Sequence, residues 1–175
     1  QDAVGGQPIR RWWKEWKDPE GNQMEQTGDL YDRLMSKVKP AIKGQNLASV
    51  NFVWMQGERD AKMGWGDLYE EALVGLHAQL ANDLQRNPLE MAFVIGRLSD
   101  FDMSNKKYPH WKKVRLAQIK VANSNPKYFW IDTDDLNDGL NRRGKQITND
   151  LHYSAEGYRI LGKRFAQACL IAIGK

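Results

Sequence analysis

Apolar residues along the chain form two kinds of pattern, which alternate. Short continuous runs at residues 50–55, 91–97 and 128–132 are rich in β-branched and aromatic side chains, so they predict buried strands. Around these runs, apolar residues recur at helical spacing and predict four helices, with the stripes Leu30, Leu34, Val38 and Ile42; Leu73, Leu76, Leu80 and Leu84; Trp111, Val114, Gln118 and Val121; and Leu161, Phe165, Ala168 and Ala172. Because strands alternate with helices, we expect an α/β protein with a parallel sheet in a three-layer α/β/α arrangement.

Polar residues and a proline mark the ends of these helices. Asp29 stands where it would cap the first helix, and Pro40 is expected to kink or end that helix. Ser154 stands in the same way before the last helix. His77 lies beside the apolar stripe of the second helix and is expected to be a solvated or packed helix residue.

Composition indicates one globular domain over residues 1–175, with 41% hydrophobic and 27% charged residues. No apolar run approaches the ~18 residues of a membrane helix, so no membrane partner is expected. The net charge is +4, and we interpret the short, scattered basic pairs as solvated faces rather than a nucleic-acid site. Cys169 is the only cysteine, which excludes an intrachain disulfide and a cysteine-based metal site. No secretory signal is visible, and the sequence leaves the compartment open.

The first predicted strand ends abruptly in polar residues. Gln56, Gly57, Glu58 and Asp60 follow it directly and combine an amide, a flexible position and carboxylates. Ligands of open α/β sheets bind at the carboxyl ends of the strands, so these residues are candidates for a site. An ordinary strand-to-helix turn with solvated charges is an equal alternative.

A histidine near the carboxyl terminus is the candidate general base. His152 lies in a loop that opens the last helix, and it is preceded closely by Asn149 and Asp150, an amide and a carboxyl group. Histidine changes charge near neutral pH, which suits it to move protons in catalysis. His110, in a separate loop, is a weaker candidate for the same task.

Two further segments could contribute to a site. The Gly5-Gly6 pair permits a tight turn whose N–H groups could donate to an oxyanion. Trp12, Trp13 and Trp16 follow it, and we favour a core role for them over a sugar-binding cleft. Arg97 ends the second strand and could orient a substrate or pair with Asp60 or Glu58, although we favour a structural ion pair.

Acidic residues cluster after the third strand. These are Asp132, Asp134, Asp135 and Asp138. The glycine and the distal glutamate of a calcium loop are not in place, so we predict a turn-rich loop without a metal. No other feature of the sequence calls for a cofactor.

Three segments together resemble a known family. Residues 54–61 resemble the third conserved block of the SGNH hydrolases, and more narrowly of the sialate O-acetylesterase-like branch with the acetylxylan esterases of carbohydrate esterase family six. Residues 149–152 resemble its last block, and residues 3–12 its second. The resemblance implies a flavodoxin-like SGNH hydrolase fold and hydrolysis of an acetylated carbohydrate or small ester. It also implies that His152 is the catalytic base, with Gly6 and Gln56 as oxyanion donors.

The sequence departs from this family at two places. The first block, which carries the nucleophilic serine after the first strand, is absent, and the chain starts where the second strand of the fold is expected to end. The aspartate expected three residues before the histidine is Asn149 here, with Asp150 one position away. The resemblance therefore makes Glu58 the first choice to orient His152, with Asp150 or Asn149 as alternatives.

No serine of the chain stands in a nucleophile-type turn. The candidates are Ser36, Ser49, Ser99, Ser104, Ser124 and Ser154. Ser99 follows a strand on the expected active side and is the best of them, whereas Ser154 is better explained as a helix cap.

A missing first strand would leave an apolar strand edge open. Unpaired backbone groups are costly to bury and invite pairing with another chain. Three arrangements satisfy them: a changed strand order, a separate segment, or a second copy, and we expect a homo-oligomer.

Besides an active esterase, the sequence allows a catalytically impaired esterase fold that binds carbohydrate through its tryptophans, or a basic module that binds an anionic polymer.

Overall fold

Three parallel strands form the centre of the molecule. A computed structural model describes residues 3–175. The strands are β1 (Asn51–Trp54), β2 (Ala92–Gly96) and β3 (Tyr128–Ile131), in the order β1-β2-β3. Phe52 of β1 pairs with Phe93 of β2 in the parallel register. All three apolar runs therefore form strands, and the prediction of a parallel sheet is confirmed.

Helices account for most of the remaining regular structure. They are a 3-10 helix at Ile9–Arg11 and the α-helices α1 (Asp29–Ile42), α2 (Glu58–Met63), α3 (Tyr69–Asp83), α4 (Trp111–Ala122) and α5 (Ala155–Ala172). The four helices that the apolar stripes predict are confirmed. The six-residue helix α2 was not predicted, because it is too short to show a periodic pattern. A short antiparallel pair, β4 (Gly139–Leu140) with β5 (Gln146–Ile147), lies within the segment predicted as a loop.

Alternate residues of β2 divide the core into two parts, as the period of a strand requires. Phe93 and Ile95 belong to the larger cluster, with the buried residues of α1, α3 and α4. Val94 belongs to the smaller cluster, where Leu161 and Ala168 of α5 pack. Helices thus cover both faces of the sheet, and the protein has the expected three layers.

The predicted helix boundaries are partly wrong. Gly28, with φ of 80°, is the N-cap of α1, and Asp29 is its first residue rather than its cap. Pro40 lies inside α1, which continues for two residues beyond it. Ser154 caps α5 as predicted, since its side chain accepts a hydrogen bond from Gly157 N at 3.0 Å.

The three amino-terminal tryptophans are core residues. Trp12, Trp13 and Trp16 are all buried. The ring of Trp13 lies so close to Gly75 of α3 that a Cβ there would meet Trp13 Cε2 at 2.3 Å. The core interpretation of these residues is confirmed, and they present little aromatic surface to a sugar.

One edge of β1 is not paired with another strand of residues 3–175. A groove of about 600 Å³ runs along β1, between residues of α1 and α3 and Phe165 of α5. Val53 of this edge strand is 42% exposed. Within residues 3–175, no helix has the length and apolar character needed to cross a membrane.

Candidate active site

Gln56 follows β1 and is buried at the carboxyl end of the sheet. Its Nε2 donates to Gln7 O at 2.8 Å and to Asp60 Oδ2 at 2.5 Å, and its Oε1 accepts from Tyr69 OH at 3.1 Å. Both hydrogens of the amide are therefore donated inside the protein. The oxyanion-donor role expected of Gln56 would require one of these bonds to break, whereas a role in fixing its neighbours requires no change.

Gly57 makes the sharp turn from β1 into α2. Its φ of 151° lies in the region that favours glycine. A Cβ at this position would meet Val114 Cγ1 at 2.7 Å and Leu98 Cδ1 at 3.2 Å. Its N–H donates to Glu58 Oε2 at 3.1 Å. Gly57 is thus required by backbone conformation and by packing.

The Gly5-Gly6 turn is fastened to the same end of the sheet. Gly6 has φ of 70°, and its carbonyl oxygen accepts from Arg59 Nε of α2 at 2.9 Å. The next carbonyl, that of Gln7, is the one that Gln56 holds. The structure therefore brings together the two segments from which the sequence predicts oxyanion donors.

Asp60 lies beneath this turn and is completely buried, with 0% of its surface exposed. Its Oδ2 accepts from Ile9 N at 3.0 Å as well as from Gln56. Burial raises the pKa of this carboxyl to about 7, although both hydrogen bonds favour the ionised form. Asp60 was expected to pair with Arg97, and it does not.

The loop that carries His152 is held by a buried amide. Asn137 Nδ2 lies 3.3 Å from Asp150 O and 3.5 Å from Asn149 Oδ1, and Asp150 N donates to Asn137 O at 3.2 Å. Asn149 has φ of 45°, and its Oδ1 also accepts from Asp102 N at 3.1 Å. Asn149 Oδ1 is therefore occupied by Asp102 N and Asn137 Nδ2 rather than by the imidazole.

His152 itself is exposed, with 74% of its side chain accessible. Its backbone N donates to Asp150 Oδ1 at 2.8 Å, and its Nδ1 lies 3.6 Å from the same oxygen. No hydrogen bond or ion pair joins His152 to Glu58 in residues 3–175. Of the three predicted orienting groups, Asp150 is the one that the structure places beside the ring.

The His152 loop and the end of β1 nevertheless face each other. Tyr153 OH lies 4.0 Å from Met55 Sδ. Burial, and then the nearby negative charge of Glu58, raises the pKa of both Tyr153 and Tyr158. The contact between Tyr153 and Met55 therefore places the two halves of the predicted site at one end of the molecule.

The candidate serines do not contact His152. Ser99 is buried, and its Oγ accepts from Phe101 N at 3.4 Å. Ser154 is occupied as the cap of α5. Among residues 3–175, no serine hydroxyl is hydrogen-bonded to a histidine ring, so the structure adds no nucleophile to those considered from the sequence.

Arg97 belongs to a neighbouring ion-pair network. Its guanidinium donates to Asp132 Oδ1 at 2.5 Å and Asp134 Oδ2 at 2.7 Å, and Arg115 donates to Asp134 as well. The predicted structural ion pair is thus present, but its partners are these aspartates and not Asp60 or Glu58. Arginines pair with Asp132, Asp134 and Asp135, and Asp138 accepts from Asn149 N. Residues 3–175 contain no grouping of side chains that could hold a metal ion.

The other two histidines have structural partners. His110 Nδ1 accepts from Gly66 N at 3.0 Å, which ties the start of α4 to the loop before α3. His77 is buried against Phe93, with ring centroids 4.7 Å apart, and burial lowers its pKa to about 4. This confirms the packed-residue interpretation of His77.

Sequence reasoning named Asp60 among the candidates but missed its role as a buried acceptor, and it missed Asn137. Asp60 stands four positions after Gln56, a spacing that brings two side chains of a helical turn together. That spacing was the available signal. Asn137 gave none, because it appeared only as part of a turn-rich segment.

Comparison with known proteins identifies a family and a similar fold. A family described as "Carbohydrate esterase, sialic acid-specific acetylesterase" matches residues 1–171. The X-ray structure of a protein from Arabidopsis thaliana is similar in fold, with a TM-score of 0.64 and 24% sequence identity. The match covers 95% of this chain and 57% of the plant chain, so the chain spans little more than half the length of that protein. No curated protein matches the sequence.

Proposed function

Because the chain belongs to the family of carbohydrate esterases described as sialic acid-specific acetylesterases, we propose that it hydrolyses acetyl esters of carbohydrates or of similar small molecules. The observation that carries the proposal is the convergence of two distant segments. The loop of His152 and the turn after β1 meet at the carboxyl end of the sheet, through Tyr153 and Met55. Such ends are the usual ligand sites of open α/β sheets.

His152 acts as the general base in this proposal. It is exposed to an incoming substrate, and its Nδ1 faces Asp150. When the ring takes a proton from the attacking hydroxyl, the carboxylate of Asp150 stabilises the imidazolium that forms. Asp150 therefore takes the orienting role for which the family resemblance favours Glu58.

The turn at Gly6 supplies the oxyanion donor. A tetrahedral intermediate develops negative charge on the former carbonyl oxygen, and fixed backbone N–H groups stabilise it. The Gly6 turn is held at its carbonyl by Arg59 and at the next residue by Gln56. Gln56 contributes by fixing this backbone, because its own hydrogens have acceptors already.

The attacking hydroxyl is not assigned to a residue of this chain. The family resemblance gives it to a serine block that the sequence does not contain, and Ser99 and Ser154 are engaged elsewhere. Base, orienting carboxylate and oxyanion turn are the parts of the reaction that this chain provides.

Hydrolysis of p-nitrophenyl acetate and of an O-acetylated sugar by the wild type and by His152→Ala tests the proposal. His110→Ala is the matched control, since it removes a histidine outside the site. We expect activity in the wild type and the control, and a loss of two orders of magnitude or more for His152→Ala, as is typical of a lost general base. An inactive wild type, or equal activity in all three proteins, would reject the esterase proposal.

A second candidate function is carbohydrate binding by a catalytically impaired esterase fold. The absence of a serine hydroxyl at His152 within residues 3–175 favours it. The buried tryptophans cannot form its binding surface, so the sugar would contact the exposed end of the sheet near Glu58 and His152. Calorimetric binding of an acetylated sugar without any release of acetate supports this candidate over the first.

A further inference from the structure

Asp60 has an environment that is rare for a carboxyl group. It is completely buried in α2, and no lysine or arginine within residues 3–175 forms an ion pair with it. Its partners are Ile9 N and the Gln56 amide, at 3.0 and 2.5 Å. Burying such a group is costly unless its hydrogen bonds are met, so its retention in the core calls for an explanation.

The two partners of Asp60 belong to segments far apart in the sequence. Ile9 is 51 positions from Asp60 and begins the 3-10 helix that follows the Gly5-Gly6 turn. Gln56 ends β1 and uses its second hydrogen for Gln7 O. Asp60 and Gln56 together therefore hold residues 7–9 against the end of the sheet, and Arg59 holds the residue before them at Gly6 O.

We propose that Asp60 is a positioning residue, whose carboxyl group fixes the Gly5-Gly6 turn in the position from which its N–H groups donate to a substrate oxyanion. The inference rests on the esterase function proposed above, and it names a residue that supports the oxyanion turn of that site. Asp60 touches no substrate. It acts by accepting from Ile9 N, and by orienting the Gln56 amide that holds Gln7 O.

Three ionisable groups act on Asp60 from the surrounding elements. Glu58 on the same helix disfavours its ionised form, Arg10 on the 3-10 helix favours it, and Tyr69 on α3 is a buried neighbour. Hydrogen bonds to an ionised acceptor are roughly twice as strong as those to a neutral one. Ionised Asp60 therefore holds the turn more firmly than neutral Asp60, and the turn is coupled to the charge of a buried group.

Two substitutions at this position separate hydrogen bonding from charge. Asp60→Asn keeps one oxygen, which can accept from both Ile9 N and Gln56, but it cannot ionise. Asp60→Leu fills a similar volume and accepts nothing. Amide hydrogen exchange of Ile9, measured by NMR on the intact chain, reports the bond without requiring any enzymatic activity, and Val94 N in β2 is the internal control.

We expect slow exchange of the Ile9 amide in the wild type and in Asp60→Asn, and exchange at least ~10-fold faster in Asp60→Leu with Val94 unchanged. In the esterase assay, Asp60→Leu should lose ~10- to 100-fold in kcat with KM nearly constant, because a displaced oxyanion donor acts on the transition state. Asp60→Asn should retain most of kcat.

If Asp60→Leu does not fold, Ile9→Pro removes the donor at the other end of the bond, together with part of a buried side chain. Proline suits the first position of a helical turn, and Pro8 already has the extended backbone that a following proline requires. This variant should show the same selective loss of kcat. Rapid exchange of the Ile9 amide in the wild type would overturn the proposal, as would full kcat in Asp60→Leu or Ile9→Pro. If the wild type is inactive but shows the expected exchange pattern, the esterase function is rejected, while the hydrogen bond by which Asp60 holds Ile9 is established.

Discussion

Nδ1 of His152 lies 3.6 Å from Oδ1 of Asp150, and the same oxygen accepts the backbone N–H of His152 at 2.8 Å. One carboxylate thus contacts both the ring and the main chain of the candidate base. The distance to the ring is that of a loose ion pair, which shortens readily when the ring gains a proton. Glu58, although close enough to affect Tyr153, makes no such contact.

Asp150→Asn is expected to lower kcat for p-nitrophenyl acetate by ~10- to 100-fold. The amide can still hold the backbone N–H of His152, but it cannot stabilise the imidazolium. The loss should be smaller than for a buried triad, because solvent shares in stabilising an exposed ring. Glu58→Gln is the matched control and should change kcat less than about threefold, since Glu58 does not contact the ring in this structure. The reverse order of effects would show that Glu58 orients the base.

A second prediction concerns stability and pH. Burial raises the pKa of Asp60 to about 7 from its ordinary value of 3.8, so the folded state binds the proton more tightly than the unfolded chain. The stability that this gives is fully present below pH 3.8 and is lost as pH rises through about 7. The free energy of unfolding should therefore fall by about 1.4 kcal/mol per pH unit between these limits, an upper estimate for one group.

His77 changes the free energy of unfolding with pH in the opposite direction to Asp60, so the two contributions have to be separated. Its pKa is lowered to about 4 from 6.5 by burial, so its contribution to stability is present above pH 6.5 and is lost as pH falls through about 4. The wild-type curve is consequently flatter than either group alone would make it. Urea unfolding from pH 4 to pH 8 should show that Asp60→Asn removes the destabilisation on the alkaline side, and a wild-type-minus-variant difference that is flat with pH would refute the assignment.

The sequence predicted the regular elements well because apolar periodicity reflects burial, which is local information. The runs that became β1, β2 and β3 are apolar on both faces, as the strands of a covered parallel sheet must be. The roles of individual polar residues were harder to infer. Arg97 was expected to pair with Asp60 or Glu58, but Asp132 and Asp134 lie beside it because β3 is the direct neighbour of β2, which the sequence does not state.

The contacts of individual polar residues in the candidate site were equally hard to infer from the sequence. Residues 54–61 and 149–152 were linked by family resemblance, and the structure places both at one end of the sheet. The contact between Ile9 and Asp60 joins residues 51 positions apart through a backbone N–H, so no side-chain pattern could have indicated it. The buried amide of Asn137 is equally invisible, since its partners are backbone and side-chain atoms of a loop without periodicity.

The open edge of β1 bears on the homo-oligomer, which stays a prediction from the sequence. Val53 is 42% exposed along this edge, and an unpaired strand next to an apolar groove favours pairing with another chain. If two copies associate here, Val53→Lys should shift the protein to monomer in sedimentation velocity, because a charged side chain on an edge opposes pairing. Val74→Lys is the control, since Val74 is similarly exposed on α3 away from the edge and should leave the assembly unchanged. A wild type that sediments as a monomer would contradict the predicted homo-oligomer.

The last prediction concerns the turn at Gly57, where strain and packing act together. Gly57→Ala places a Cβ 2.7 Å from Val114 Cγ1 at a φ of 151° that alanine rarely adopts. We expect a loss of about 2–4 kcal/mol in the free energy of unfolding, the sum of a backbone cost and an overpacking cost of similar size. Gly162→Ala is the matched control, because Gly162 lies in α5 with nothing within 4 Å of its Cβ position. That substitution should stabilise by up to about 1 kcal/mol through helix propensity.

The two costs at Gly57 can be told apart by combining substitutions. Val114→Ala removes the methyl group that the new Cβ would meet most closely, so in the double variant with Gly57→Ala most of the steric part should disappear and the backbone part remain. Urea denaturation of the four proteins in this cycle should therefore give a coupling energy of about 1 kcal/mol or more. Strict additivity would show that the turn yields to the extra atom. In that case the turn from β1 into α2 would require glycine for its φ of 151° and not for its packing against Val114.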